Sequence, residues 1–290
     1  MQTVLLAGGT GYLGNHLWQQ LLDSGYKVRA LVRHPGKVDP LRKRLSDVCQ
    51  TEITQPAELA GCCDQVDVVI SSLGITRQRD GLSYMDVDYQ ANLNLLDEAR
   101  RSGVKQFIYV SVLNGERFRH LKICAAKERF VDALKQSGLD YRIIRPNGFY
   151  SDLGEFVHMA QKGRIYLFGD GEYRTNPIHG TDLAKAIVEQ IDQPSGELPI
   201  GGPQTLTHND IARLAFAAAG KPVTITYIPN WLRQTALFLL RKTTSVQTYG
   251  PLEFFMTVMA ANMLAPECGE KSLESYFNQL NSERLDNKES

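Results

Sequence analysis

An apolar run, Val4-Leu5-Leu6-Ala7, breaks into glycines spaced three apart, Gly8, Gly11 and Gly14, and then passes into a helical pattern. A strand that turns this sharply into a helix aims unpaired backbone N–H groups, and the positive end of the helix dipole, at one spot where a pyrophosphate can sit. On this reading Gly8 permits the tight turn, Gly11 lets phosphates approach the backbone, and Gly14 lets the helix pack closely on the sheet. Thr10, Tyr12 and Leu13 complete the binding turn. Leu13, Leu17, Leu21 and Leu22 recur at helical spacing, and Ser24-Gly25 supplies a stop suited to a left-handed cap.

Downstream, strand-like runs at 3–6, 27–32, 66–71, 106–111 and 141–144 alternate with helix-like ones, such as 91–100 with Leu93, Leu96 and Ala99 on one face. That alternation predicts an α/β fold, a doubly wound parallel sheet of Rossmann type with ligands at the carboxyl ends of its strands. After Pro146, closely spaced glycines and prolines break the chain into short pieces. They predict a smaller mixed C-terminal lobe that receives substrate. The expected division is a nucleotide-binding domain over 1–145, a lobe over 146–280 partly interleaved with the sheet, and a disordered polar tail over 281–290. Within the lobe, Thr181-Asp182 starts one helix, and Thr207-His208-Asn209-Asp210 reads as a capping box before a helix ended by Gly220.

Lys plus Arg and Asp plus Glu stand at 32 each, so no global field draws nucleic acid. The Arg42-Lys43-Arg44 run reads as a solvated helix face. Five cysteines show no spacing that binds zinc or builds a disulfide framework, and adjacent Cys62 and Cys63 read as two small buried side chains. No metal is expected. With no signal-peptide pattern at the start, the cysteines point to a reducing, cytoplasmic setting. No apolar run approaches the ~18 residues a membrane helix needs. Trp231 to Leu240 is aromatic and aliphatic with basic flanks, and 252–259 has similar apolar weight. Three roles stay open for this pair: core helices, a cover over a hydrophobic ligand, or a surface for a membrane or protein partner. Nothing indicates an oligomeric state.

The residue ending the second strand of such a fold meets the adenosine ribose, where an acid favours a free 2′-hydroxyl and an arginine accommodates a 2′-phosphate. Here it is Arg33, nineteen residues after Gly14, with Lys37 close by. The expectation is NADP(H) in preference to NAD(H), which stays open as a second cofactor. Glu52 and Ile53 end the third strand, where a carboxylate can accept from the adenine amine and an aliphatic group can flank the ring. Ser71-Ser72-Leu73-Gly74 ends the fourth, placing small polar groups and a glycine over the ribose and pyrophosphate edge, with Ser72 and Leu73 as cofactor-binding residues.

These pieces, together with Asp88-Tyr89-Gln90-Ala91-Asn92, the run from Gly103 to Ser111, Ala126-Lys127-Glu128, Ile144-Arg145-Pro146 and the run from Asn176 to Ala184, resemble the short-chain dehydrogenase/reductase superfamily in its atypical NmrA-like branch. The resemblance runs from residue 1 to roughly 200 and implies an NAD(P)(H)-binding Rossmann domain. It also implies a catalytic Lys127 on the cofactor, Ser111 orienting a substrate carbonyl, and backbone near Pro146 at the nicotinamide carboxamide. Working members place a tyrosine four residues before the lysine, to move the proton that accompanies hydride transfer. Here that residue is Ile123.

Three readings follow. Lys127 itself serves as acid or base, as in the lysine-only reductases this branch is similar to, its pKa lowered toward neutrality by desolvation. Alternatively a tyrosine from the other lobe, Tyr150 or Tyr173, reaches the site. In the third, the nucleotide is bound without turnover, as in a redox-sensing regulator or an assembly or accessory factor. The main expectation is an oxidoreductase acting on a small hydrophobic carbonyl, enone or quinone-like substrate, with a nucleotide-sugar epimerase or dehydratase as a further alternative that Ile123 opposes. His179 reads as a structural hydrogen bonder and Asp182 as a helix-start charge.

Overall fold

The structure, a computed structural model, describes residues 1–75 and 81–289. In chain order its strands are β1 (Thr3–Ala7), β2 (Lys27–Val32), β3 (Asp47–Gln50), β4 (Val68–Ser71), β5 (Gln106–Val110), β6 (Asp140–Pro146), β7 (Ile165–Phe168), β8 (Arg174–Thr175), β9 (Gly196–Ile200), β10 (Leu206–Thr207) and β11 (Ile225–Ile228). The helices are α1 (Tyr12–Asp23), α2 (Asn92–Arg101), α3 (Lys122–Lys135), α4 (Gly154–Gln161), α5 (Gly180–Val188), α6 (His208–Ala219), α7 (Asn230–Thr243), α8 (Val246–Val258) and α9 (Leu273–Glu289).

Seven strands form one sheet in the order β3-β2-β1-β4-β5-β6-β9, and the pairings from β3 to β6 are all parallel. This is the doubly wound arrangement, with its order reversing between β1 and β4. Val4, Leu5, Leu6 and Ala7 are fully buried, because β1 lies at the centre with both faces covered. Trp18, Leu17 and Leu21 bury one face of α1.

Chain contacts divide the molecule into two units, one of Met1–Arg145 with Leu183–Leu198, the other of Pro146–Asp182 with the chain from Pro199 onward. The segment that rejoins the first unit carries most of α5 and the start of β9, a strand the sequence reading did not find. Gly196-Glu197-Leu198-Pro199-Ile200 alternates in burial rather than running apolar, so it carries none of the signal of a central strand. The second unit buries Tyr150, Phe156, Val157, Ile165, Phe216 and Phe277 around α4, α6 and α9. It also pairs β7 with β11 in parallel and β8 with β10 antiparallel.

Three expectations are corrected. Cys49 on β3 is disulfide-bonded to Cys62, 13 positions further along the sequence, where five unpaired thiols were expected. The link joins a strand to the loop after the Pro56–Leu59 turn, a tertiary proximity that spacing does not report. Residues 281–289, read as disordered, continue α9. Once a helix is nucleated, each further residue adds a hydrogen bond without needing a new core. Ser290 lies outside the described residues. Arg42, Lys43 and Arg44 are exposed as expected but lie in a turn, not on a helix, and Arg44 pairs with Asp23 at 2.7 Å.

His208 opens α6 and is 2% exposed, with a buried Nδ1 that has no hydrogen-bond partner among the described residues. Burial pushes its imidazole down to about 4. The unfolded chain therefore takes up a proton near pH 6.5 that the folded chain refuses, so this contribution to stability is present above 6.5 and lost as pH falls toward 4. On the order of 3 kcal/mol is expected to disappear across that window through this residue. Urea titrations of wild type and His208→Gln should show the decline flattened in the variant, and parallel curves would exclude His208 as its source.

Candidate functional site

Gly8 sits at φ +82°, the left-handed conformation that the turn after β1 requires. A Cβ at Gly14 would stand 2.2 Å from the Gly8 carbonyl oxygen, so α1 packs directly on the turn. Trp18, one turn further on, donates from its indole Nε1 to the Gly9 carbonyl at 2.5 Å and packs so closely that a Cβ at Gly9 would stand 1.8 Å from its ring. Gly11 precedes α1, and no side chain caps the first turn of the helix there. Thr10 and Gly11 are exposed there, while Leu13 is buried beneath.

A cleft of about 420 Å³ opens at the carboxyl ends of β1, β2 and β4. Of the residues singled out from sequence, it is lined by Gly8, Thr10, Gly11, Arg33, Glu52, Ile53, Ser72 and Leu73. Tyr12, Leu13, Gly14, Lys37, Ser111, Lys127 and Pro146 do not line it. Lys37 is exposed on the Pro35–Leu41 turn, and Pro146 ends β6. Glu52 is oriented by Thr54, whose backbone N–H and hydroxyl both donate to its Oε1 at 3.3 and 2.9 Å. Gly74, placed beside Ser72 and Leu73 by the sequence, also lines it, whereas the sequence reading missed Thr51, Ile75 and Val87 on the walls. Thr51 is 4% exposed and its hydroxyl has no partner among the described residues. Such a stranded polar atom in a cleft wall suits a ligand that brings its own hydrogen-bonding group. In size, with a helix N-terminus that no side chain caps, an arginine at its rim and an unpaired hydroxyl, the cleft fits a dinucleotide.

Lys127 lies beside this cleft. A Cβ at Gly74 would stand 2.7 Å from both its Nζ and the Asp88 Oδ1, so the glycine leaves only backbone between the cleft and the pair. Nζ and Oδ1 are 2.9 Å apart, and Asp88 is fully buried. Burial works against both charges, pushing the Asp88 carboxyl up. For Lys127 burial is outweighed by the attraction of Asp88 and by Tyr109, whose ring centroid is 5.6 Å from Nζ, and the amine is held above the ordinary lysine range. The expectation of a lysine brought toward neutrality by desolvation is thereby corrected. Asp88 lies on the π-helical turn Met85–Ala91 that leads into α2. Asn92 fixes that turn, donating to the carbonyls of Val87 and Asp88 and accepting from the Ser71 hydroxyl at 2.6 Å.

Ser111 is 5% exposed and its hydroxyl donates to Glu128 at 3.0 Å. Glu128 in turn is held by both terminal nitrogens of Arg145, at 2.6 and 3.0 Å. Arg145 Nε reaches Glu197 at 2.5 Å. Ser111 therefore belongs to a buried polar lock between α3 and β6, and a substrate carbonyl would have to displace Glu128 to use it. Ile123 is buried at 6%, one turn before Lys127 on α3.

In the second unit, the Tyr150 hydroxyl donates to the Lys271 carbonyl at 2.7 Å, and Tyr173 accepts from Asn230. His179 accepts from the Thr181 N–H, and Asp182 holds the N–H groups of Glu270 and Lys271. These engagements are structural within that unit. The Trp231 to Leu240 stretch forms most of α7, but only Leu237 is buried in it. Trp231, Leu232, Phe238 and Leu239 are 45 to 66% exposed, so a core-helix role is excluded.

Known proteins carry the same architecture. The sequence model of the NAD(P)H-binding family matches residues 8–194. A divinyl chlorophyllide a 8-vinyl-reductase from Cucumis sativus is 27% identical over 97% of this chain and 77% of its own. The photosystem II assembly factor Ycf39 of Guillardia theta is 27% identical over 78% of this chain and 73% of its own. The NADPH-dependent quinone oxidoreductase of Escherichia coli, solved with NADPH, superposes with a TM-score of 0.74 over 96% of this chain and 99% of that one, at 18% identity. Because the family match covers more than half the chain and takes in the whole lining of the cleft, this protein belongs to the NAD(P)H-binding family.

Proposed function

We propose that this protein is a reductase that prefers NADPH to NADH and acts on a small, hydrophobic, conjugated acceptor such as an enone or a quinone. The observation that carries the preference is Arg33, an exposed guanidinium on the rim of the cleft at the end of β2. There it meets a 2′-phosphate with a fork of donors, while nothing in a free 2′-hydroxyl needs it. Bound NADPH supplies a hydride. Lys127, kept as a cation by Asp88, contributes positive charge and hydrogen bonds beside Gly74 and holds its proton near neutral pH.

The acceptor class follows from what the site lacks. An isolated ketone becomes an alkoxide on reduction and needs a positioned acid, whereas an enone or quinone becomes a delocalised anion that water can protonate. Ile123 in place of the acid favours the second kind. That the Cucumis sativus relative is a vinyl reductase and the Escherichia coli neighbour a quinone oxidoreductase agrees with a conjugated acceptor.

Calorimetric titration with NADPH and NADH tests the cofactor reading. Arg33→Ala is expected to weaken NADPH binding by roughly 10- to 100-fold, the worth of a charged hydrogen-bonded pair, and to leave NADH unchanged. Equal affinity of the wild type for both nucleotides would sink the preference. Stopped-flow oxidation of bound NADPH against quinones, enones and isolated ketones tests the reaction. A second reading, a nucleotide-binding assembly or regulatory factor without turnover, is favoured by the commitment of Ser111 to Glu128 and by the likeness to an assembly factor. Binding without oxidation by any acceptor would select it.

A further inference from the structure

Helix α7 turns its apolar side outward. Trp231 and Leu232 recur one heptad later as Phe238 and Leu239, so the four fall within one arc of the helix, and they are 66, 45, 55 and 54% exposed. Leu252 and Phe255 on α8, which packs on α7, add two more exposed apolar side chains at 40% each. A helix in a water-soluble surface has the opposite polarity, with its apolar arc inward. No helix among the described residues is long and apolar enough to cross a membrane.

The charges around this face have one sign. Helix α7 carries Arg233, Arg241 and Lys242 and no acid. The sole acid of α8, Glu253, is 4% exposed and is paired with Arg241, so it presents no negative charge outward. Lys242 lies within the apolar arc itself, its ammonium 5.0 Å from the centroid of the Phe238 ring. A long basic side chain laid along an aromatic one keeps its stem in apolar surroundings and its charge at the edge. A tryptophan at one end, an apolar stripe and a basic end match the boundary between acyl chains and anionic headgroups.

The geometry points to α7 and α8 as a peripheral docking surface for an anionic lipid bilayer, with Trp231, Leu232, Phe238 and Leu239 entering the interface and Lys242 facing the headgroups. None of these residues lines the cleft, so their substitution tests docking without altering the nucleotide site. Through it a hydrophobic acceptor dissolved in the bilayer would be brought to the protein.

The chain has two tryptophans, and Trp18 is buried at 1%, so a change of emission on adding vesicles reports Trp231. Phosphatidylcholine vesicles containing phosphatidylglycerol should co-float the protein and shift its emission to the blue, and pure phosphatidylcholine vesicles should bind it far less. Lys242→Glu is expected to weaken the anionic binding at least about fivefold, the effect of one basic residue at a charged surface. Phe238→Ser with Leu239→Ser should weaken it by roughly 100-fold, with far-UV circular dichroism and thermal midpoint unchanged because both side chains are exposed. Absence of flotation with both vesicle types would overturn the proposal, as would equal binding to neutral and anionic vesicles. A dimer in sedimentation velocity that the double serine variant disperses would overturn it too, by making a second copy of the chain the occupant.

Discussion

Asp88→Asn is expected to cost the fold about 3 to 5 kcal/mol at neutral pH, the penalty of leaving one member of a buried ion pair without its counter-charge. Asp88 is fully buried and its Oδ1 lies 2.9 Å from Lys127 Nζ. In the wild type the amine is held above its ordinary range, so the stability it contributes is present through the neutral region and is lost only at strongly alkaline pH. Without the carboxylate, burial dominates and the folded-state pKa falls below that of the unfolded chain. The deficit of the variant should then shrink as pH rises from about 7 toward about 10, in guanidinium titrations at several pH values. A deficit that does not change with pH would show that the introduced amide perturbs packing and that the charge of Lys127 is immaterial. The double change Asp88→Leu with Lys127→Met should recover most of the loss, because it removes both charges together.

Gly14→Ala and Gly11→Ala should separate the architecture of the turn from its ligand. A Cβ at Gly14 meets the Gly8 oxygen at 2.2 Å, the Gly9 Cα at 2.5 Å and the Gly9 carbonyl carbon at 2.6 Å, all backbone atoms that no rotamer change can move. The helix must lift off the turn, and the expected loss is roughly 2 to 4 kcal/mol together with nucleotide binding. At Gly11 the nearest atom to a Cβ is 3.4 Å away, and φ −84° with ψ 176° suits alanine. That variant should keep its thermal midpoint within the change expected of about 1 kcal/mol, yet bind NADPH at least about tenfold more weakly because the methyl occupies the approach to the helix N-terminus. If Gly11→Ala bound normally, the phosphates would have to sit elsewhere.

Much of this was legible in the chain because the signals were local. The run into Gly8 specified β1 and its turn, Gly25 stopped α1 at φ +83°, and Thr207 with Asp210 formed the capping box that precedes the helix ended by Gly220 at φ +62°. Arg33 and Glu52 fell on the cleft because position along a strand end determines position around the site. What escaped depends on partners distant in sequence. Nothing near Lys127 announces that Asp88, on a π-helical turn before α2, will keep it charged. Ser111 matched the expected position on its strand, but its orientation is set by Glu128 and Arg145. The composition of α7 suited a core helix as well as a surface one, since an apolar run does not reveal which side its neighbours will cover.

The return of Leu183–Leu198 to the first unit also has a consequence for synthesis. A nascent chain that has emerged only as far as Arg145 holds six strands of the sheet, and β6 stands at an open edge with its hydrogen-bonding groups unpaired. That edge stays open while the ribosome adds roughly fifty further residues, several seconds at ordinary elongation rates. During that interval the strand is available to any other chain in extended form. Premature termination between Pro146 and Gly196 should therefore yield aggregates and not a small, folded nucleotide-binding domain.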